Sequence, residues 1–385
     1  MRNKRLDILR CLAILMVIVA HARVPIFLAK AGWSGVDLFF VLSGFLISGL
    51  LYSEFKKRGS ISFKRFFIRR GFKIYPPFYV MLLATYIAQR LLWHAPPQSV
   101  GHYLREIFFI QNYRFGIWTH TWSLAVEEHF YIALAVLLLA LASYSSNRTN
   151  PFEKIPWVFM FLSFGCLVLR ILTIQLTPPT EFLTPEVTNP THLRIDALFF
   201  GVLWGYLYHF RPELIRAFSA SWRKRIFLAV ATLALLSPGY FLQRESYAML
   251  TFGLTSLYLG YGCLLVLFLE VRDVLPSRWP AVAAKIGTVG AYIGTHSYSI
   301  YLWHVPFLVA VPVFLRKVLH LEPPSLVAHL INVIGSCALG IAMANIIEFP
   351  ALHLRDKLFP ALQKQVKPVA PSEGERQTFP LVTPR

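Results

Sequence analysis

The chain has 385 residues, a mean hydropathy of +0.54, only 15% charged residues and a net charge of +19. A charged fraction this far below the roughly 25% of soluble domains, together with 32 Phe, 17 Tyr and 9 Trp, describes an integral membrane protein. Cytoplasmic loops collect Lys and Arg and membrane interfaces collect aromatic residues, so the basic charge does not call for a nucleic-acid partner.

Hydropathy predicts about ten spans, near residues 6–28, 35–54, 74–93, 122–143, 155–176, 193–210, 225–242, 248–270, 295–316 and 326–348, each close to the length a bilayer requires. The basic N-terminus and Ala20-His21-Ala22 resemble a signal-peptide cleavage context, but the apolar run resumes at Val24 and completes a full span. Within that span Arg10 and His21 stand eleven positions apart. Eleven steps return a helix to within roughly 20° of the same face and climb roughly 16 Å, about half the hydrocarbon thickness. Both groups are costly in hydrocarbon unless partnered, which makes them functional candidates.

Span two carries Asp37 near its outer end and Ser43, which reads as a small residue for close helix packing. Lys64, Arg65, Arg69, Arg70 and Lys73 enter span three. Arg69 and Lys73 are four apart and share a helix face. Such a cluster suits a polyphosphate clamp, or else topology determination and contact with anionic lipid. Segment 94–121 is too polar to span, and its piece Ile107 to Ile110 suits the interface. Span four holds the adjacent Glu127 and Glu128, whose directions differ by about 100°, so that one can face a site and the other an interface. Arg194 and Asp196 open span six, and His304 lies midway along span nine. Segment 271–294 reads as an inner loop. Cys11, Cys166, Cys263 and Cys337 are scattered through apolar runs and form neither a disulfide framework nor a metal site.

With the N-terminus inside, the inner segments hold 25 Lys and Arg and the outer ones 8. The expected fold is therefore an all-α polytopic membrane bundle of about ten transmembrane helices with both termini cytoplasmic. Residues 1–355 form the membrane domain, and 356–385 a cytoplasmic tail expected to be disordered. No internal repeat is evident. His21, Asp37, Glu127, Glu128, Arg194, Asp196 and His304 all fall in the outer half of this bundle. A histidine beside carboxylates suits general-base chemistry, with the carboxylate orienting the ring.

The order of these segments carries a resemblance. Leu6-Asp7-Ile8-Leu9-Arg10 with His21, Gly35 to Phe45 (GVDLFFVLSGF), Phe67 to Pro76 (FIRRGFKIYP), Trp122-Ser123-Leu124 through Glu127-Glu128, and Ser297 to His304 (SYSIYLWH) resemble the acyltransferase 3 family of bacterial membrane O-acyltransferases, over about residues 5–350. The resemblance implies a ten-helix enzyme of the bacterial inner membrane. It would take an acyl group, often acetyl, from cytoplasmic acyl-coenzyme A, without a metal, and pass it to a hydroxyl of a carbohydrate or glycolipid acceptor of the cell envelope, lipopolysaccharide among the candidates. His21 would act as the base with Glu127, Glu128 and Asp37 around it; Arg10, Arg69, Arg70 and Lys73 would bind the donor. His304, Arg194 and Asp196 are further candidates. The family's basic run ends in arginine where this chain has Lys73, which keeps the charge and loses the bidentate fork. Some relatives add an extracytoplasmic esterase-like domain; this chain resembles the members without one. The competing reading is a transporter of an envelope precursor, which also buries charges in its helices.

Overall fold

The computed structural model describes residues 3–91, 98–178, 180, 188–270 and 280–360, and among them every regular element is helical. In chain order the principal helices are α1 (Lys4–His21), α2 (Gly35–Arg58), α3 (Phe63–Leu91), α4 (Val100–Ile107), α5 (Trp122–Tyr144), α6 (Ile155–Leu176), α7 (Thr191–Phe210), α8 (Trp222–Leu236), α9 (Leu254–Glu270), α10 (Pro280–Thr295), α11 (Ser297–Lys317), α12 (Ser325–Met343) and α13 (Phe349–Leu358). A π-helical turn leads into α9 at Met249–Gly253, and another joins α12 to α13 at Ala344–Glu348.

Seven helical segments among the described residues are long and apolar enough to cross a bilayer. Helices α1, α3 and α7, of 18, 29 and 20 residues, fall outside that set. They are the helices that carry Arg10, then Arg70 and Lys73, then Arg194 and Asp196. Other candidate residues lie on the apolar segments themselves, Asp37 on α2, Glu127 and Glu128 on α5 and His304 on α11, and charges there are tolerated only where they have partners.

The structure corrects three boundaries. The first helix ends at His21, where an unbroken span to residue 28 was expected. Ala22 and Val24 close it by donating to the carbonyls of Ile18 (2.8 Å) and Val19 (3.1 Å), and Arg23 adopts a left-handed φ of 51°. Pro25 follows the break, and a short helical turn, Phe27–Lys30, begins two residues later. His21 is therefore a terminal residue, exposed at a helix end. Second, the segment expected as a loop over 271–294 contains α10, an Ala- and Gly-rich helix of 16 residues, shorter than a span. It packs on the first half of α1, Gly287 and Gly290 lying over Ile8 and Gly294 against the Asp7 carbonyl. Third, α13 runs to Leu358, so the tail expected from residue 356 begins inside a helix. Residues 361–385 and the end of the third predicted span at 92–93 lie outside the described residues.

The pairing of α2 with α7 organises the core. A Cβ on Gly44 would collide with the Leu198 carbonyl, and one on Gly201 with the Val41 carbonyl and the Phe45 amide. Backbone contact of this kind requires glycine on both helices, and it gains dispersion energy where lipid offers no hydrophobic drive for helix association. Gly44, rather than Ser43, is the small packing residue; Ser43 turns toward a cavity. Close approach also sets Asp37 of α2 beside Arg194 of α7 at 2.8 Å, both nearly inaccessible to solvent.

Gly201→Val is expected to force α2 and α7 apart and to cost about 1–3 kcal/mol, the usual price of overpacking. Gly165→Ala, where nothing lies within 4 Å of the new Cβ, is the control. Thermal unfolding of detergent-purified protein should show a clear drop in Tm for the first variant and little change for the second; equal behaviour would refute the backbone contact.

Candidate active site

Two cavities open inside the bundle. The inner one, of about 110 Å³, is bounded by Arg10, Ser43, Arg70, Lys73, Glu127, Glu128 and Tyr131 together with apolar residues of α2. The outer one, of about 350 Å³, is bounded by His21, Trp33, Phe115, Thr119, His120, Trp122, Asn189, Arg194 and Arg244, among others. Val36 and Tyr301 line both. Helix α1 thus presents Arg10 to one cavity and His21 to the other, and the two cavities meet at a valine and a tyrosine.

In the inner cavity every cation has an acidic counterpart. Arg70 stacks on the Tyr131 ring (4.6 Å to its centroid) and donates to its hydroxyl, which in turn donates to Glu127 at 2.7 Å. Tyr75 donates to Glu128 at 3.0 Å. Lys73 pairs with the fully buried Glu348 at 2.7 Å, and Ser299 donates to the other oxygen of that carboxylate at 2.6 Å. Both glutamates of the Glu127-Glu128 pair line this cavity, so neither is spent at an interface. Arg69 does not line it: its guanidinium holds Asp356 at 3.0 Å and the Phe359 carbonyl, fixing α13 to α3.

The outer cavity is built on histidines. His21 Nδ1 is 2.9 Å from the Val17 carbonyl. A carbonyl only accepts, so Nδ1 carries the proton and Nε2 keeps its lone pair. The same reasoning places the proton of His304 on Nδ1, 2.6 Å from the Tyr301 carbonyl, and that of His120 on Nε2, 3.2 Å from the Leu302 carbonyl. His304 is fully buried and packs edge-on against His21 and against His120, each at 5.0 Å between ring centroids. His21 is therefore oriented by a backbone carbonyl and a neighbouring imidazole. No carboxylate touches it among the described residues, whereas Glu127 or Glu128 was expected to orient the ring or balance its charge.

Asp37 and Asp196 line neither cavity. Asp37 supports Arg194, which faces the outer cavity and stacks over Trp122 at 5.3 Å. Asp196 pairs with Arg170 at 2.6 Å, and Arg170 also donates to Thr255 at 3.0 Å, tying α6, α7 and α9 together. Sequence reasoning missed His120, Glu106, Arg244 and Glu348, each of which acts on partners remote in the chain. His120, two residues before Trp122, was adjacent to a segment already singled out.

Glu106 holds the turn that carries His120. Its carboxylate accepts from the amides of Ile117 (2.9 Å) and Trp118 (3.1 Å) and from the Thr121 hydroxyl (2.9 Å). Burial pushes this carboxyl up to about 7, against the pull of those three donors. A proton is then bound more tightly in the folded than in the unfolded protein, so the stability this group contributes is greatest below its unfolded value and is lost as pH rises toward 7. Wild type is expected to lose stability between about pH 4.5 and pH 7, by up to about 3 kcal/mol from this group. Glu106→Gln, which does not titrate, should flatten that slope. Tm measured across the window checks it, and parallel slopes for the two proteins would exclude the assignment.

An acyltransferase domain family model matches residues 3–345. The peptidoglycan O-acetyltransferase OatA of Listeria monocytogenes is 28% identical over 369 residues, covering 90% of this chain and 55% of its own. The O-acetyltransferase OatA of Staphylococcus aureus is 26% identical, covering 80% of this chain and 50% of its own. A further S. aureus protein, provisionally named an O-acetyltransferase, is 30% identical over 321 residues, covering 78% and 49%. The chain spans about half the length of these relatives. No solved structure matches it. With the family model covering nearly all of the membrane bundle and both cavities, this chain belongs to the acyltransferase 3 family.

Proposed function

We propose that the protein is a multi-pass O-acyltransferase of the bacterial cytoplasmic membrane. It takes an acyl group, acetyl first among the candidates, from acyl-coenzyme A on the cytoplasmic side and passes it to a hydroxyl of an envelope carbohydrate. Counting α1, α3 and α7 with the seven apolar segments supports ten crossings, and the excess of basic residues on one side supports both termini in the cytoplasm. The observation that carries the reading is the arrangement of α1, with a cation in the inner cavity and a histidine with a free basic nitrogen in the outer one.

The donor enters from the α2–α3 turn, where Lys57, Arg58 and Lys64 are exposed to meet its phosphates. Inside, Arg10, Arg70 and Lys73 face Glu127, Glu128 and Glu348, three cations against three carboxylates. Such a balanced site repays little for burying further phosphate charge and suits the uncharged pantetheine arm, whose amides match alternating donors and acceptors. The thioester then reaches toward Val36 and Tyr301. From the outer cavity an acceptor hydroxyl loses its proton to His21 Nε2 as its oxygen attacks the thioester carbon. The resulting oxyanion collapses, the carbon–sulfur bond breaks, and the coenzyme A thiolate leaves and regains a proton from the imidazolium. Arg10 and Arg70 hold the donor and offset charge that builds on it. Glu127 is assigned to setting Arg70, by way of Tyr131, and Glu128 to holding Tyr75, rather than to His21.

Purified protein given radiolabelled acetyl-coenzyme A and a glycan acceptor should release coenzyme A and label the glycan. His21→Ala should lower the rate by at least about 100-fold, the scale of lost general-base catalysis. Arg70→Ala should raise KM for the donor more than it lowers kcat. A His21→Ala rate within about threefold of wild type would overturn the role of His21. Glycan flux into vesicles without acyl product would overturn the enzyme reading.

A further inference from the structure

The outer cavity has a charge that the acyl-transfer chemistry does not require. Among the described residues its boundary includes two guanidinium groups, Arg194 and Arg244, and no carboxylate. Arg194 is spoken for, since Asp37 neutralises it from behind at 2.8 Å. Arg244 sits on the connection between α8 and α9, with its guanidinium over the Trp33 ring at 5.3 Å from the centroid. It makes no ion pair at contact distance among the described residues. Its neighbours of like and opposite charge are Arg194 and the adjacent, exposed Glu245, and Arg194 acts on it as an unfavourable positive charge. The cavity that holds the base is therefore electropositive.

The rest of the boundary describes what such a site would take. Trp33, Phe115 and Trp122 offer flat aromatic faces; Thr119 and Asn189 offer hydroxyl and amide groups; His21 offers the basic nitrogen. Aromatic faces with small polar groups at their edges suit a sugar ring, which presents C–H bonds on its faces and hydroxyls around its rim. A neutral sugar would leave Arg244 without a counter-ion. A planar guanidinium held against an indole presents its N–H edge for bidentate bonding to a carboxylate or a phosphate.

Resting on the acyltransferase reading above, we infer that the acceptor is an anionic carbohydrate, a sugar bearing a carboxylate or phosphate that Arg244 binds so as to orient the neighbouring hydroxyl toward His21. Arg244 is thereby a specificity-determining residue of this reaction, and the shared chemistry of the two anions, oxygen pairs of negative charge, is what it reads.

Matched acceptors test this directly: cello-oligosaccharides carrying carboxymethyl groups, the same oligosaccharides carrying neutral hydroxyethyl groups, and a phosphorylated set. Wild type at low salt should show kcat/KM at least about tenfold higher for a charged set than for the neutral one, a preference that shrinks as salt screens the charge. Arg244→Gln should bring that ratio close to unity, mainly through KM for the charged acceptor, and Arg244→Lys, which keeps the charge and loses the bidentate fork, should recover only part of it. The carboxymethyl and phosphoryl sets compared with each other identify which anion is preferred. A wild-type ratio near unity, or a ratio unchanged in Arg244→Gln, overturns the inference while leaving the acyltransferase intact. Absence of label on every acceptor, with acetyl-coenzyme A bound, overturns the underlying reading as well; direct binding of the carboxymethylated set to wild type and to Arg244→Gln then decides the anion site alone, with equal affinities counting against it.

Discussion

A charge inside an apolar bundle is tolerated only with a partner, and this constraint lays out the whole molecule. Asp37 with Arg194 joins α2 to α7; Arg170 with Asp196 joins α6 to α7; Lys73 with Glu348 joins α3 to the turn before α13. Each pair is a cross-link between helices that have no hydrophobic reason to associate in lipid. Breaking one by removing a single partner would strand a buried charge, a far larger cost than the net gain from forming the pair. Helix α7, which takes part in two of these pairs and meets α2 backbone to backbone at Gly44 and Gly201, is consequently the post against which the others are set.

Once those pairs are accounted for, the chemistry-bearing groups fall into two compartments of different character. The inner cavity is internally compensated, with Arg70, Tyr131 and Glu127 forming one chain and Lys73, Glu348 and Ser299 another. Such networks hold side chains in fixed positions, which favours orienting a long flexible donor over attracting its charge. The outer cavity is lined with rings and holds Arg244 without an ion pair at contact distance among the described residues, which favours discrimination among acceptors. His21 stands at the end of α1 because Arg23 and Pro25 stop the helix there; a helix carried on to residue 28 would bury the ring in the middle of a span.

How much of this was legible depended on the distance over which each residue acts. The alignment of Arg10 with His21 follows from helical periodicity alone, and the structure sets both on α1 facing cavities. Most of the predicted apolar runs lie within a few residues of helices, because span length is fixed by composition, although α3 begins at Phe63, well before the run predicted from residue 74. The exception in kind is α1, ended by a left-handed Arg23 that no propensity announces. Helix α10 escaped notice because its burial comes from α1 and not from its own hydropathy. The partners of Glu127, Glu128 and Asp37 were not legible for a common reason. A sequence shows that carboxylates lie at similar depths, but not which cation each one meets. Arg70 by way of Tyr131, Tyr75 and Arg194 were the partners, and all three are tertiary facts.

The junction at Val36 and Tyr301 separates what a transporter needs from what this arrangement offers. A carrier moves one substrate past a single central site that opens to each side in turn, usually between repeated halves. Here the two sides of the junction are chemically unlike: cations balanced by carboxylates below, histidines, indoles and an unbalanced guanidinium above. A single solute would fit one and be rejected by the other. Two different substrates, each approaching from its own side and meeting at the boundary, satisfy both. On the proposed reading, only the acyl group then needs to change compartments, at the junction lined by Val36 and Tyr301.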